Sequence, residues 1–290
     1  MLDIPARIKV IQYLLEKNTR ESLTYAALEG RLTIEYLCYE RFKLSYSYLS
    51  VEDLKNWQPK HVVQQVSEEI NENINKGFTL SISTEPLSGK LPSCKEDYES
   101  VSYTPIGNQS AINLNKLHSF WHGLSNVALH IPVPTIDSGD ISIYGDKDKI
   151  KKKVEAFLRY LATLKNGNLL MGGSLGKEFS FNCFACETLI KKPIKLLTAA
   201  AAAAAAAAAV ANCINPKCNE SYLIEPEKNN EYEIKRRIIK FLCLGCKEDL
   251  EIPSNVFKDL KFQQQLNICC GGCQSSQTVI MRPLAKGSSE

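Results

Sequence analysis

The sequence predicts an α+β protein, an N-terminal α-helical bundle followed by two small β-rich ribbons. Three observations carry this. Apolar residues recur at helical spacing through most of the first 165 positions. Glycines at 167, 172, 173 and 176 then punctuate the chain. Beyond them, nine of the eleven cysteines arrive in four short-spaced groups among short apolar runs.

The elements follow in order. Residues 5–17 place Ile8, Ile11, Leu14 and Leu15 on one side, with Pro5 suited to a first turn. Residues 21–44 hold the strongest pattern, with Leu23, Ala27, Leu28, Leu32, Tyr36, Leu37 and Cys38 apolar, continued by Phe42 and Leu44. Ser50 reads as the cap of a short helix. Residues 60–75 form another helix with a stripe of Val62, Val63, Val66, Ile70 and Ile74. Phe78, Leu80 and Ile82 alternate with polar residues as one strand. Pro86, Gly89, Pro92, Pro105 and Gly107 make the rest of 77–110 an irregular insertion. Helices resume at 111–128, stopping before Pro132 and Pro134, and at 146–164, a lysine-rich segment with Ile150, Val154, Phe157, Leu158 and Leu161 inward. The domains expected are 1–166, a hinge, then ribbons at 177–227 and 232–285, with a helical insertion at 254–266.

The cysteines carry the clearest chemistry. Cys183 and Cys186, Cys243 and Cys246, and Cys270 and Cys273 each flank two residues; Cys213 and Cys218 flank four. Two thiols at such spacing curl around one metal ion, and two pairs complete a closed tetrahedral site. The simplest assignment gives one structural Zn2+ to Cys183, Cys186, Cys213 and Cys218 and a second to Cys243, Cys246, Cys270 and Cys273. Cys269 is the spare, able to replace Cys270 by a register shift. Iron–sulfur binding also uses four cysteines, but pairs set between short strands favour zinc ribbons. Ala199 to Ala209 is an unbroken alanine run in a chain otherwise sparing of alanine. It reads as standing for residues of unassigned identity, and no chemistry is drawn from it.

Composition narrows the class. The 44% hydrophobic and 23% charged content is that of a globular chain. No apolar run reaches the ~20 residues of a membrane span, and no secretion-like leader opens the sequence. Clustered thiols in odd number fit a reducing cytoplasm better than a disulfide framework. The net charge of +3 lies wholly in residues 171–290. Eight thiolates and two Zn2+ bring that half to about −1, which weakens a bulk electrostatic case for nucleic-acid binding. The basic runs at Lys149–Lys153 and Lys235–Arg237 are interleaved with acids and read as solvated faces. Trp57 and Trp121 read as bundle packing.

All four histidines, His61, His118, His122 and His130, lie in the first half. His118 and His122 share a helix face, and His130 sits at a helix end, where a ring can meet free carbonyls. The helix Tyr25–Glu40 and the segment Leu124-Ser-Asn-Val-Ala-Leu-His130 resemble the early helix and late motif of the HEPN superfamily over roughly residues 5–165. That resemblance implies a helical bundle that dimerises, and in active members a metal-independent ribonuclease of toxin–antitoxin and antiphage systems. Asn126 and His130 match the family's polar residue and histidine. Ser125 stands where the family has arginine, and loss of that charge removes stabilisation of the reacting phosphate. Arg20, Arg31 and Arg41 are the candidates to replace it. The sequence thus points to a binding or scaffolding protein whose ribbons grip a protein or nucleic-acid partner, with His130 and Asn126 as the catalytic pair of a rival ribonuclease reading.

Overall fold

The computed structural model describes residues 2–49, 53–84, 94–131, 141–174, 176–203, 209–227, 231–258 and 260–280. Ser50, Pro86, Gly89, Pro92, Pro132, Pro134 and the expected end of the second ribbon beyond residue 280 lie outside them, as do alanines 204–208. The chain is α+β, with helices first and small sheets after. It divides into two compact units, 1–46 with 54–175, and 47–53 with 176–290.

The first unit is built around one helix. Helix α1 (Ile4–Lys17) starts on Asp3, which accepts the Ala6 N–H at 2.9 Å, and ends at Asn18 in the left-handed region. Thr19 and Ser22 then cap each other's backbone N–H and start α2 (Arg20–Lys43). Helix α2 packs against α1, α3 (Pro59–Glu69), α5 (Leu114–Ala128) and α6 (Lys147–Ala162). It buries Leu23, Ala27, Ile34, Leu37, Cys38 and Phe42. Gly30 lets the neighbours approach: a Cβ there would lie 3.0 Å from Leu124 Cδ1 and 3.1 Å from Phe157 Cδ1.

Three residues of the expected apolar stripe face outward: Leu32, Tyr36 and Leu44. Arg41 is buried instead, because its guanidinium donates to Leu37 O at 2.8 Å and Ile74 O at 3.2 Å. Burial pulls its pKa below the usual arginine value. Helix α3 ends at Glu69, short of the expected residue 75. Asn71 breaks it, its side chain accepting the Asn73 N–H at 3.0 Å, a local bond that competes with helix. Ile70 and Ile74 stay buried across the turn.

The 77–110 insertion contains more order than expected. Strand β1 (Phe78–Ser83) pairs antiparallel with β2 (Tyr103–Gln109), and a short helix α4 (Lys95–Glu99) lies between them in sequence. Pro105 and Gly107 are tolerated because the register shifts between Leu80 and Ser81, leaving Ile106 as a bulge.

The second unit is a series of hairpins. Strands β3 (Glu178–Asn182) and β4 (Leu189–Pro193) pair, followed by α7 (Ile194–Ala203). Strands β5 (Ala209–Asn212), β6 (Ser221–Pro226) and β7 (Tyr232–Arg236) form one three-stranded sheet. Then β8 (Ile238–Leu242) pairs with β9 (Asp249–Pro253), and β10 (Gln265–Cys269) with β11 (Ser276–Ile280). Of the helix expected at 254–266, only Ser254–Phe257 is helical, as one 3-10 turn, and Gln265 already belongs to a strand. Two small cores result, one around Ile190, Tyr222 and Ile224, the other around Leu250 and Ile268. Tyr48, from the 47–53 segment, hydrogen-bonds Glu178 and accepts from Lys192 Nζ at 3.1 Å. That segment belongs to the second unit, whereas the expected helical domain of 1–166 included it.

Both tryptophans lie in the first unit, so their fluorescence reports its unfolding. Gly30→Val should shift that transition to lower denaturant by about 1–3 kcal/mol, the scale of overpacking.

Candidate metal centres

Each cysteine group sits at a hairpin tip. Pairing ends at Asn182 and Leu189 around the first, Asn212 and Ser221 around the second, Leu242 and Asp249 around the third, and Cys269 and Ser276 around the fourth. Three tips fold identically. The N–H of Glu187 reaches back to Cys183 O, that of Lys247 to Cys243 O and that of Gln274 to Cys270 O, at 2.9–3.0 Å. Those three residues carry φ of 58°, 65° and 60°. A left-handed residue directly after the second thiol turns the chain back, so that both sulfurs point the same way. None of the three is glycine, which accepts this conformation most readily.

The tips converge in pairs. Cys183, Cys186, Cys213 and Cys218 form one group and Cys243, Cys246, Cys270 and Cys273 the other, and within each group all sulfurs lie within 4.8 Å of one another. Cys183 and Cys218 sulfurs are 3.7 Å apart, Cys186 and Cys213 3.5 Å, Cys243 and Cys273 3.6 Å, and Cys246 and Cys270 3.7 Å. Four sulfurs about 2.3 Å from one tetrahedral ion stand about 3.8 Å apart. Both groups can therefore hold one metal ion. Cys269 is a strand residue opposite Ser276 and is exposed, while Cys270 turns into the cluster.

Without a cation the thiols of one cluster cannot ionise together. Burial and the neighbouring sulfurs push Cys213 up, and Cys218 up to about 11. Burial also opposes ionisation of Cys186, but its hydrogen bonds with Thr188 and the other thiols outweigh it and bring it down to about 6. The Ser275 hydroxyl, 3.2 Å from Cys243 and 3.0 Å from Cys273, helps bring Cys243 down to about 6 and lowers Cys273.

Sequence reasoning missed these supporting hydroxyls. The phenol of Tyr222, fully buried, accepts the Phe184 N–H at 2.9 Å and lies 3.1 Å from Cys183 Sγ, placed to donate to a thiolate. In the second ribbon Gln277 Oε1 accepts the equivalent Leu244 N–H at 2.9 Å. The equivalence has a legible signal. Phe181, Cys183, Cys186 and Pro193 recur sixty positions on as Phe241, Cys243, Cys246 and Pro253, an internal repeat.

The other candidates lie in the first unit. Asn126 and His130 are exposed and line a cleft of about 360 Å³ with Val127, Ile131, Gly145, Asp146 and Lys149. Ser125 is buried, donating to Trp121 O at 2.7 Å. Arg41 is held in the core and Arg31 pairs with Glu35 at 3.0 Å, so neither is directed to this cleft. Arg20 lies within electrostatic reach of Asp146. The rings of His61 and His118 are 5.7 Å apart and those of His118 and His122 4.4 Å. Cys38 is buried, its thiol pushed up to about 12 by burial.

No protein-family model, curated protein or solved structure matches the chain. No helix among the described residues is long and apolar enough to cross a membrane.

Two outcomes are expected. Cys183→Ser or Cys246→Ser should each remove about one metal ion per chain, by elemental analysis, and leave the tryptophan-reported transition of the first unit in place. Because ligation needs thiolates, protons compete with metal, so the ion is held at high pH and released as pH falls. Chelator competition should show apparent affinity falling more than about tenfold per pH unit, the release of more than one proton per ion bound.

Proposed function

We propose that the protein is a zinc-containing binding and scaffolding protein whose tandem ribbons recognise a protein or nucleic-acid partner. The observation that carries this is the closure of both centres. Four cysteines fill each tetrahedron, leaving no position for substrate or water, the mark of a structural rather than a catalytic site. Sulfurs 3.5–3.7 Å apart suit a single ion and leave no room for the irons and sulfides of a cluster. Zn2+ is assigned because a redox-silent d10 ion accepts four thiolates without geometric strain. The metal then fixes four hairpin tips, Phe184 and Leu244 among their exposed residues, as a rigid recognition platform. Self-association belongs to the helical half, where Tyr25, Leu32 and Tyr36 face outward along α2. A cytoplasmic role in antiphage defence rests on the HEPN resemblance and the reduced thiols alone.

A second reading is favoured by one observation, the cleft that gathers Asn126, His130 and Lys149. It is the site of a metal-independent ribonuclease in which His130 moves the proton of a ribose hydroxyl, Asn126 orients the phosphate, and Lys149 supplies positive charge in place of the missing arginine.

Protein purified without chelator should contain about two zinc ions per chain; a content near zero defeats the ribbon reading. Zinc-loaded protein incubated with structured RNA and EDTA should leave it intact. Cleavage that His130→Ala abolishes would establish the second reading.

A further inference from the structure

Helix α5 carries a polar ridge. His118, His122 and Asn126 follow one another at intervals of four residues, and His130 continues the interval just past the helix end. Each step is about 6 Å, so the ridge runs for about 18 Å. Basic residues flank it on both sides. From α3, the Lys60 charge acts on His118, and the His61 ring packs against it at 5.7 Å. From α6, Lys153 lies over Gly123, its Nζ 3.4 Å from where a Cβ would be, and Lys149 lines the cleft beside Asn126 and His130. Trp57 stands at the α3 end, 61% exposed, its ring 6.0 Å from Trp121, which in turn lies 4.9 Å from His122.

The two basic runs of the sequence differ in what neutralises them. In the ribbons, Lys235 sits between Glu225 at 2.5 Å and Glu233 at 2.8 Å. Arg236 is held by Glu220 at 2.5 Å and Glu251 at 3.4 Å. On α6, Lys151, Lys152 and Lys153 make no ion pair among the described residues, and Lys149 has only Asp146 at 3.9 Å. Lys151, Lys152 and Lys153 are thus available to a ligand.

We propose that the α5–α6 face of the first unit binds a single strand of nucleic acid through its phosphates; the cleft of the second reading is one end of this track, and the binding holds with or without cleavage at His130. The unpaired lysines neutralise the backbone and release its counterions. The ridge repeats at an interval close to that of successive phosphates along an extended strand, and its imidazoles donate to phosphate oxygens or stack on bases. Trp57 offers an indole face to a base at one end. A membrane surface would leave the histidine and asparagine ridge unmatched, and α6 itself exposes no large apolar residue. An acidic peptide would match the lysines and leave the rings unused.

The test is fluorescence anisotropy of labelled single-stranded RNA and DNA with the full zinc-loaded chain over a salt series. Binding should weaken steeply with salt. Lys152→Gln with Lys153→Gln, both exposed, should weaken it at least about tenfold and flatten the log–log salt slope by about 1.4, the loss of two phosphate contacts. Trp57→Ala should weaken binding at unchanged slope. Lys235→Gln should leave both unchanged. Absence of salt-dependent binding, unaltered binding by the double variant, or displacement of the strand by polyglutamate as readily as by unlabelled strand would each overturn the proposal. Thermal unfolding of each variant, matching the parent, shows that loss of binding is not loss of fold.

Discussion

Like-charge repulsion between thiolates is the constraint on which the second unit depends. Four sulfurs 3.5–3.7 Å apart cannot all be anions unless a cation stands between them. The cores around them are small, the second containing few buried residues besides its cysteines. A metal ion bound there would therefore supply folding free energy that the apolar surface does not. The hydroxyls of Tyr222 and Ser275 lie 3.0–3.2 Å from the same sulfurs, placed to donate to them once they are thiolates.

The first unit meets a different constraint, the close approach of helices around α2. Gly30 opens the space, and Arg41 fills a buried position by donating to backbone carbonyls. That arginine is committed inside, while α6 presents a run of lysines at the surface. The division of labour between the units is thus electrostatic as well as structural. The ribbons pair Lys235, Arg236 and Lys240 with glutamates, whereas Lys151, Lys152 and Lys153 of the bundle make no ion pair among the described residues.

Much of this was legible in the residues. Helical periodicity placed α1, α2, α5 and α6 to within a few residues, because long amphipathic patterns admit few alternatives. It failed at Leu32 and Tyr36, where α2 is apolar on more than one side and only packing decides which side is buried. It also failed at β2, where Pro105 and Gly107 read as breaks although a bulge absorbs them. The expected helix after Pro253 shrank to one turn, and Gln263, at φ 62°, sits in a turn before the next strand starts at Gln265. Cysteine spacing named both clusters, since two thiols at fixed separation are a geometric statement in themselves. Tyr222 and Ser275 left no such mark: a lone hydroxyl has no spacing, and its role appears only when strand pairing carries it to a sulfur.

The hairpin tips also determine where the chain is free to vary. An ion in the first centre would tie Cys186 to Cys213 across a connection whose two ends lie in separate hairpins, β3–β4 and β5–β6. The entropy of closing such a loop grows only with the logarithm of its length, about 0.6 kcal/mol for each doubling. The connection running through the alanine run can therefore lengthen or shorten at little cost to the first centre. The six residues of the Cys183–Thr188 tip admit no such change, because one insertion would rotate a sulfur out of the tetrahedron.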